Sequence, residues 1–201
     1  MGERPYVIGL TGNIATGKSA VGHMLSELGA EHIDADRLAH QVMAAGTPAC
    51  QRIAAAFGAQ ILQADGAIDR GKLGSIVFGD ANALARLEAI VHPEVIARTR
   101  QLIADSRAAV VVVEAIKLIE SGMVVHLCDA LWVVIAPRAV QIQRLMEQRQ
   151  LSYEDAVLRI DAQPPQEAKV ARADVVIHND GTLEGTRQQV IEAWLKIDRT
   201  T

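Results

Sequence analysis

Two rhythms of apolar residues run along this chain. Short continuous runs occur at 6–10 (YVIGL), 109–113 (AVVVV, ending at Glu114), 131–136 (LWVVIA) and 174–178 (DVVIH), each with the length and β-branched content of a buried strand. A shorter strand is predicted at 32–34, running into the tripeptide Asp34-Ala35-Asp36. Between these runs apolar positions recur every three or four residues. After Gly17 they fall at Val21, Met24, Leu25 and Leu28, with Gly29 placed to end the helix. The same spacing predicts helices over 37–45, 48–57, 83–91 and 93–103, the last with Pro93 in its first turn. Residues 58–82 are rich in Gly, Asp and Asn and read as loops and short pieces, with a weak strand signal near 60–62. From 140 to 173 the chain is polar and helical, rich in Arg and Gln, and broken at Pro164-Pro165. Alternating strands and helices predict an α/β fold whose apolar runs are central parallel strands.

Composition narrows this picture. A chain of 201 residues fits one domain, or one core domain carrying an insertion. Half the residues are hydrophobic but only 3% are aromatic, so the core is built from Ala, Val, Ile and Leu, the material of helices packed on a parallel sheet. The formal net charge of −4 is unlike that of a general nucleic-acid binder, and no nucleic-acid partner is expected. Cys50 and Cys128 lack the close pairing of a zinc or redox motif and read as reduced thiols. The longest apolar stretch, 123–137, is interrupted by His126 and Asp129, and no leader pattern stands at the start, so a soluble, cytoplasmic protein without a membrane partner is expected.

The chemistry begins between the first strand and the first helix. Gly12, Gly17, Lys18 and Ser19 match G-x-x-x-x-G-K-[ST], the pattern of a loop whose backbone N–H groups hold nucleotide phosphates at a helix N-terminus. The cradle comprises Gly12, Asn13, Ile14, Ala15, Thr16, Gly17, Lys18, Ser19 and Ala20. Lys18 is expected to bridge the β- and γ-phosphates, and Ser19 to place its hydroxyl on magnesium. Asn13 and Ala15 stand where further glycines would be tolerated, and the cradle forms provided neither needs a positive φ. No N-K-x-D motif and no following D-x-x-G is present, which counts against a GTPase and leaves motor-type ATPases and small-molecule kinases.

A kinase also needs an acceptor-side base and a water-excluding lid. Asp34 and Asp36 lie at the C-terminal end of the second strand, where ligands of open parallel sheets gather. On an extended segment their carboxylates point to the same side, one to take a hydroxyl proton and the other to help hold magnesium-bound water. The competing reading has Asp34 ending the strand and Asp36 capping a helix that begins near Arg37. Glu114, ending the third strand, is a candidate for an indirect magnesium contact or an acceptor contact, or is merely a charged strand end. Lys117 and Glu120 just beyond it read more readily as a solvated pair; His40, His92 and His126 are equally ambiguous, His40 being able to contact the acceptor although a lone helical histidine is more often structural. Arg144, Arg149 and Arg159 punctuate the polar segment, which reads either as a solvated helical hairpin or as a lid whose arginines, closing over ATP, would stabilise charge on the transferring phosphoryl group. Within it Ser152 is a candidate N-cap, with Asp155 three residues on.

The succession "IGLTGNIATGKS", "IDADRLAHQV" with "GTPA" beyond it, "HPEV" at 92–95, a strand ending at Glu114, "RIDAQ" followed by Lys169, and "ADVVIHNDGTLE" resembles the dephospho-coenzyme A kinase family over nearly the whole chain. The resemblance implies a P-loop NTPase-type three-layer fold with a five-stranded parallel sheet, its core over 5–36, 104–139 and 174–201. It further implies a helical CoA-binding insertion over 37–103 and a lid over 140–173. The implied reaction is ATP-dependent phosphorylation of the ribose 3′-hydroxyl of dephospho-coenzyme A, giving coenzyme A and ADP, with Mg2+. By the same resemblance Asp36 is the leading candidate for the base with Asp34 beside it, both reaching the metal through water. Arg144 and Arg149 face the nucleotide, and residues 179–182, including Asn179 and Gly181, lie near the adenine. Thr11, Asp36, His40, His92, Glu114, Lys117 and Arg159 are the candidate acceptor contacts. The sequence departs from the family's pattern in the thinner glycine content at Asn13 and Ala15, in "EAIKLIE" after the third strand, and in Pro164-Pro165 after Gln163. Another small-molecule or nucleoside kinase, and an ATP-binding regulatory module without acceptor turnover, remain alternatives. Monomer and homo-oligomer are equally open.

Overall fold

A computed structural model describes residues 4–119, 121–122 and 124–197. Five strands form one parallel sheet in the order β2-β3-β1-β4-β5: β1 (Tyr6–Thr11), β2 (Glu31–Asp34), β3 (Val110–Glu114), β4 (Ala130–Ile135) and β5 (Val175–His178). The continuous apolar runs have the physical cause expected of them, since both faces of the sheet are covered. Ile8, Leu10, Val110, Val112, Trp132 and Val134 build one face of the core. Alternate residues such as Val7, Val111, Val113 and Val133 are fully buried on the other. The first face packs against α1 (Lys18–Glu27) and α9 (Leu183–Trp194), through Val21, Met24, Leu25, Val190 and Trp194. α1 ends as its pattern requires: the Ala30 N–H reaches back to the Leu25 carbonyl at 3.0 Å, with Gly29 at φ +99.

The chain divides into two compact units, 1–34 with 103–201, and 35–102. The first carries the sheet, α1, α9 and the polar segment, which folds as α6 (Arg138–Arg149), α7 (Tyr153–Asp161) and α8 (Gln166–Val170). Ser152 caps α7 by accepting the Asp155 N–H at 3.1 Å, and Arg138 grips Asp161 through two bonds of 3.0 Å, joining α6 to α7.

The second unit comprises α2 (Ala35–Val42), α3 (Pro48–Phe57), a single 3₁₀ turn at Ala59–Ile61, α4 (Arg70–Val77) and most of α5 (Ala81–Asp105). Two expectations change here. The stretch read as loops contains α4, started by Asp69, whose carboxylate accepts the Lys72 N–H at 3.0 Å; the strand signal near 60–62 amounts to a lone antiparallel bridge from Leu62 to Ile68. The two helices expected on either side of His92 are one helix of 25 residues with Pro93 inside it. The missing Pro93 N–H and its ring cost a helix about 3 kcal/mol. Burial of Val91 and Val95 on either side offsets that cost.

Among the described residues no helix is long and apolar enough to cross a membrane.

Candidate active site

The turn leaving β1 is held from outside by its carbonyls. Arg144 of α6 donates through Nη1 to the carbonyls of Ala15 (3.1 Å) and Thr16 (3.2 Å), and through Nη2 to that of Asn179 (3.0 Å). Asn179, just past β5, donates its own amide to the Thr16 carbonyl at 2.8 Å and accepts the Thr186 hydroxyl at 3.0 Å. In a planar trans peptide a carbonyl and the following N–H point in opposite directions. Tying down the Ala15 and Thr16 carbonyls therefore fixes both peptides: the Thr16 N–H donates to the Asn13 carbonyl at 3.3 Å, and the Gly17 N–H is turned towards the interior of the turn, where a phosphate would lie.

Two side-chain-free positions make this packing possible. Gly17, at φ +95, begins α1, and a Cβ there would stand 2.0 Å from Asn179 Nδ2. Gly22, one turn into α1, faces His32 and Glu114, and a Cβ would come within 3.1 and 3.2 Å of them. Ala15 takes φ +58, so one of the two positions singled out, Asn13 and Ala15, does adopt the left-handed conformation, contrary to the condition set from the sequence. Lys18 is buried, its Nζ donating to the carbonyls of Gly12 (3.0 Å) and Asn13 (3.4 Å). It lies curled over the mouth of the loop.

The acidic side is fixed by strand register. Leu10 of β1, Glu114 of β3 and Asp34 of β2 are aligned across the sheet's C-terminal edge. The Glu114 carboxylate is buried: Ser19 donates to Oε1 at 3.3 Å, and His32 Nε2 lies 3.0 Å from Oε2. Asp34 is exposed at the end of β2. Asp36 belongs to the first turn of α2, in the other unit, because the strand passes into helix at Ala35. The extended segment that would have set both carboxylates on one side does not exist. Thr11, fully buried, and Lys169 of α8, 2% exposed, both donate to the Ile116 carbonyl, at 3.1 and 2.8 Å.

The remaining candidates are spread more widely. Arg149 and Arg159 are exposed on α6 and α7, Lys117 is exposed after β3, Ala20 lies within the first turn of α1, and Gly181 is exposed before α9. Glu120, paired with Lys117 in the sequence reading, lies outside the described residues. In the second unit His92 is half-buried on α5, and His40 lines a cavity of about 380 Å³ together with Met43, Ile68, Arg70, Leu73 and Leu87. Four contributors to the loop and its edge had no assigned role in the sequence: His32, Gln163, Lys169 and Thr186. For Gln163 and Lys169 the signal was their place in the quoted "RIDAQ…K" stretch, and for His32 and Thr186 there was none.

Oxygen donors dominate where a magnesium ion would sit. The Ser19 hydroxyl and the Glu114 carboxylate are hard ligands, and Mg2+ commonly takes one or two such groups together with substrate phosphates and water. Among the described residues no three His, Cys, Asp or Glu side chains gather as a self-sufficient metal centre. The residues present fit a metal that arrives with a nucleotide.

Comparison with known proteins agrees with this geometry. The family model described as "Dephospho-CoA kinase" matches residues 6–185. A dephospho-CoA kinase of Carboxydothermus hydrogenoformans is 45% identical over 187 residues, 92% of this chain and 91% of the relative. The crystal structure of TT1252 from Thermus thermophilus superposes with a TM-score of 0.84 at 33% identity, covering 96% of this chain and 97% of that one. A dephospho-CoA kinase from Campylobacter jejuni gives 0.68 at 29% identity, with 94% and 96% covered.

Proposed function

Since the chain belongs to the dephospho-CoA kinase family, an enzyme family that phosphorylates dephospho-coenzyme A with ATP in coenzyme A synthesis, we propose how its residues divide that reaction. Residues 12–20 hold the ATP phosphates, and Lys18 leaves the Gly12 and Asn13 carbonyls to bridge the β- and γ-phosphates. Ser19 and Glu114 would hold Mg2+, which would supply charge neutralisation on the phosphates, with Asp34 contributing through water. Asp36 accepts the proton of the ribose 3′-hydroxyl as its oxygen attacks the γ-phosphorus. ADP leaves in line, so positioning and electrostatics carry most of the rate.

The single observation that carries this division is the alignment of Leu10, Glu114 and Asp34, which sets two carboxylates beside the phosphate turn on the edge where the chemistry of open α/β sheets takes place. Arg144 acts first by shaping the loop, through three carbonyls. The α6–α8 segment is the lid, with Arg149 and Arg159 on it. The helical unit 35–102 receives the acceptor, and its 380 Å³ cavity, apolar apart from His40 and Arg70, suits an extended, largely uncharged portion of that substrate. The free thiols of Cys50 and Cys128 fit a reducing compartment such as the cytoplasm.

The test is ADP release from MgATP by the purified protein, with dephospho-coenzyme A, adenosine or AMP as acceptor. Turnover with dephospho-coenzyme A alone is the expected result. ATP binding with all three acceptors silent would overturn the assignment.

A further inference from the structure

Ile14 lies in the phosphate loop, yet its backbone N–H is taken by a side chain from the far end of α7: it donates to Gln163 Oε1 at 2.8 Å. One residue away the exchange is reversed, and Asn13 Nδ2 donates to the Pro164 carbonyl at 2.9 Å. The two segments thus hold each other by one backbone donor and one backbone acceptor. Apolar packing reinforces the pair. Ile14 is buried against Leu145 of α6 and Ala156 of α7, with Ile142, Leu151 and Ile160 around them.

Asn13 is 5% exposed, and among the described residues its Oδ1 accepts no hydrogen bond. Its amide orientation is nevertheless fixed, since turning it over would set Oδ1 against the Pro164 oxygen. A buried acceptor is left unsatisfied so that Nδ2 can make this contact. On the partner side Pro164 and Pro165 have restricted φ and no N–H, which holds the Pro164 carbonyl in place with little conformational freedom.

We propose that Gln163 is a positioning residue for phosphoryl transfer: with Asn13 it latches the α7–α8 connection onto the entrance of the phosphate loop, so that the loop keeps its ATP-binding shape only while that connection is docked. The coupling runs through one peptide. The Asn13 carbonyl, rigidly opposed to the Ile14 N–H that Gln163 holds, accepts from Lys18 Nζ (3.4 Å), the Thr16 hydroxyl (2.9 Å) and the Thr16 N–H (3.3 Å). Releasing Gln163 frees one side of that peptide and loosens the Asn13 carbonyl, the longer of the two Lys18 contacts; the Gly12 carbonyl at 3.0 Å is the other. ATP affinity and lid docking are therefore linked, and the linkage is reciprocal. The role of this latch in turnover rests on the assignment of residues 12–20 to ATP.

The test uses the full chain carrying Gln163→Met, which keeps the side chain's bulk without a strong acceptor, and Gln163→Glu, which keeps the acceptor. Backbone hydrogen exchange at Ile14 in the nucleotide-free protein is read alongside KM for each substrate and kcat. Q163M is expected to speed Ile14 exchange and raise KM for ATP, each by about tenfold, the scale of a buried donor left unpaired, with KM for dephospho-coenzyme A within about twofold. Q163E is expected to restore Ile14 protection. Gln163 is only half-buried, and Asn13→Ala, which breaks the other bond, is expected to raise Ile14 exchange and KM for ATP in the same way. Wild-type exchange in Q163M, or equal rises in both KM values with a lowered Tm, would overturn the latch. The exchange result is independent of ATP binding, so a wild-type protein that failed to bind ATP would refute the loop assignment and leave the latch decided on exchange alone.

Discussion

Asn179 and Thr16, separated by 163 residues, meet through a 2.8 Å bond from the Asn179 amide to the Thr16 carbonyl. The bond joins the end of β5 to the phosphate loop and fills the space a side chain on Gly17 would need. Gly17→Ala is expected to lose at least about 100-fold in kcat/KM for ATP, since it combines an unfavourable φ with displacement of Asn179. Asn179→Ala leaves the Thr16 carbonyl with Arg144 alone and the Thr186 hydroxyl with only a 3.4 Å contact to the Thr182 carbonyl, and is expected to raise KM for ATP about tenfold, with a lower Tm. Steady-state kinetics and thermal unfolding read both; a wild-type KM in N179A would refute this reading of the contact.

Lys18→Ala is expected to cost about 100-fold or more in kcat, by analogy with removal of one preorganised donor from a transition state. Asp36→Asn is expected to stay folded and bind ATP while transferring little phosphate. Equilibrium ATP binding and coenzyme A formation separate the two effects, and undiminished turnover in D36N would move the base to Asp34.

The left-handed Ala15 predicts a small effect for one substitution and a large one for another. An alanine there carries roughly 1 kcal/mol of strain, about what glycine's extra chain entropy costs, so Ala15→Gly is expected to shift Tm by no more than about 2 °C. Ala15→Val, β-branched at positive φ, is expected to lower Tm by several degrees and weaken ATP binding. Equal Tm losses in the two variants would show that the φ value is not the cause.

Burial, aided by neighbouring Asp129, pushes the Cys128 thiol up to about 12. It therefore stays protonated and is expected to resist alkylation at pH 8, as mass spectrometry of iodoacetamide-treated native protein would reveal; rapid labelling would contradict this. Because the folded value lies above the unfolded one, its stabilising contribution is complete below about pH 8.5 and is lost as pH rises towards 12. A Cys128→Ala variant is accordingly expected to lose less stability than wild type between pH 8 and pH 10.5 in urea unfolding.

The legible parts of the molecule were those whose causes are local. Gly12, Gly17, Lys18 and Ser19 stand in one stretch, and the valine run of β3 needs no distant partner to read as a strand. α4 escaped because Gly71 and Gly74 weaken its helical signal, and α5 was divided because Pro93 normally ends a helix. Burial on both sides of Pro93 prevailed. Contacts such as His32 with Glu114 and Ile14 with Gln163 span 82 and 149 residues and leave no periodic trace. Asp34 and Asp36 were recognised as candidates, but their relative direction depends on the strand turning into helix at Ala35, a boundary that composition left open by two residues.

The strand order also constrains how the protein is made. Central β1 pairs with β3 and β4, and its first partner for Tyr6 is Val110. At ribosomal speeds the apolar segment 6–11 waits about 5–20 s for that partner to be synthesised. During that interval the future phosphate loop hangs from an unpaired hydrophobic strand, so nucleotide cannot assist the earliest folding steps. Non-local pairing makes this the slow, aggregation-exposed phase of the molecule's life.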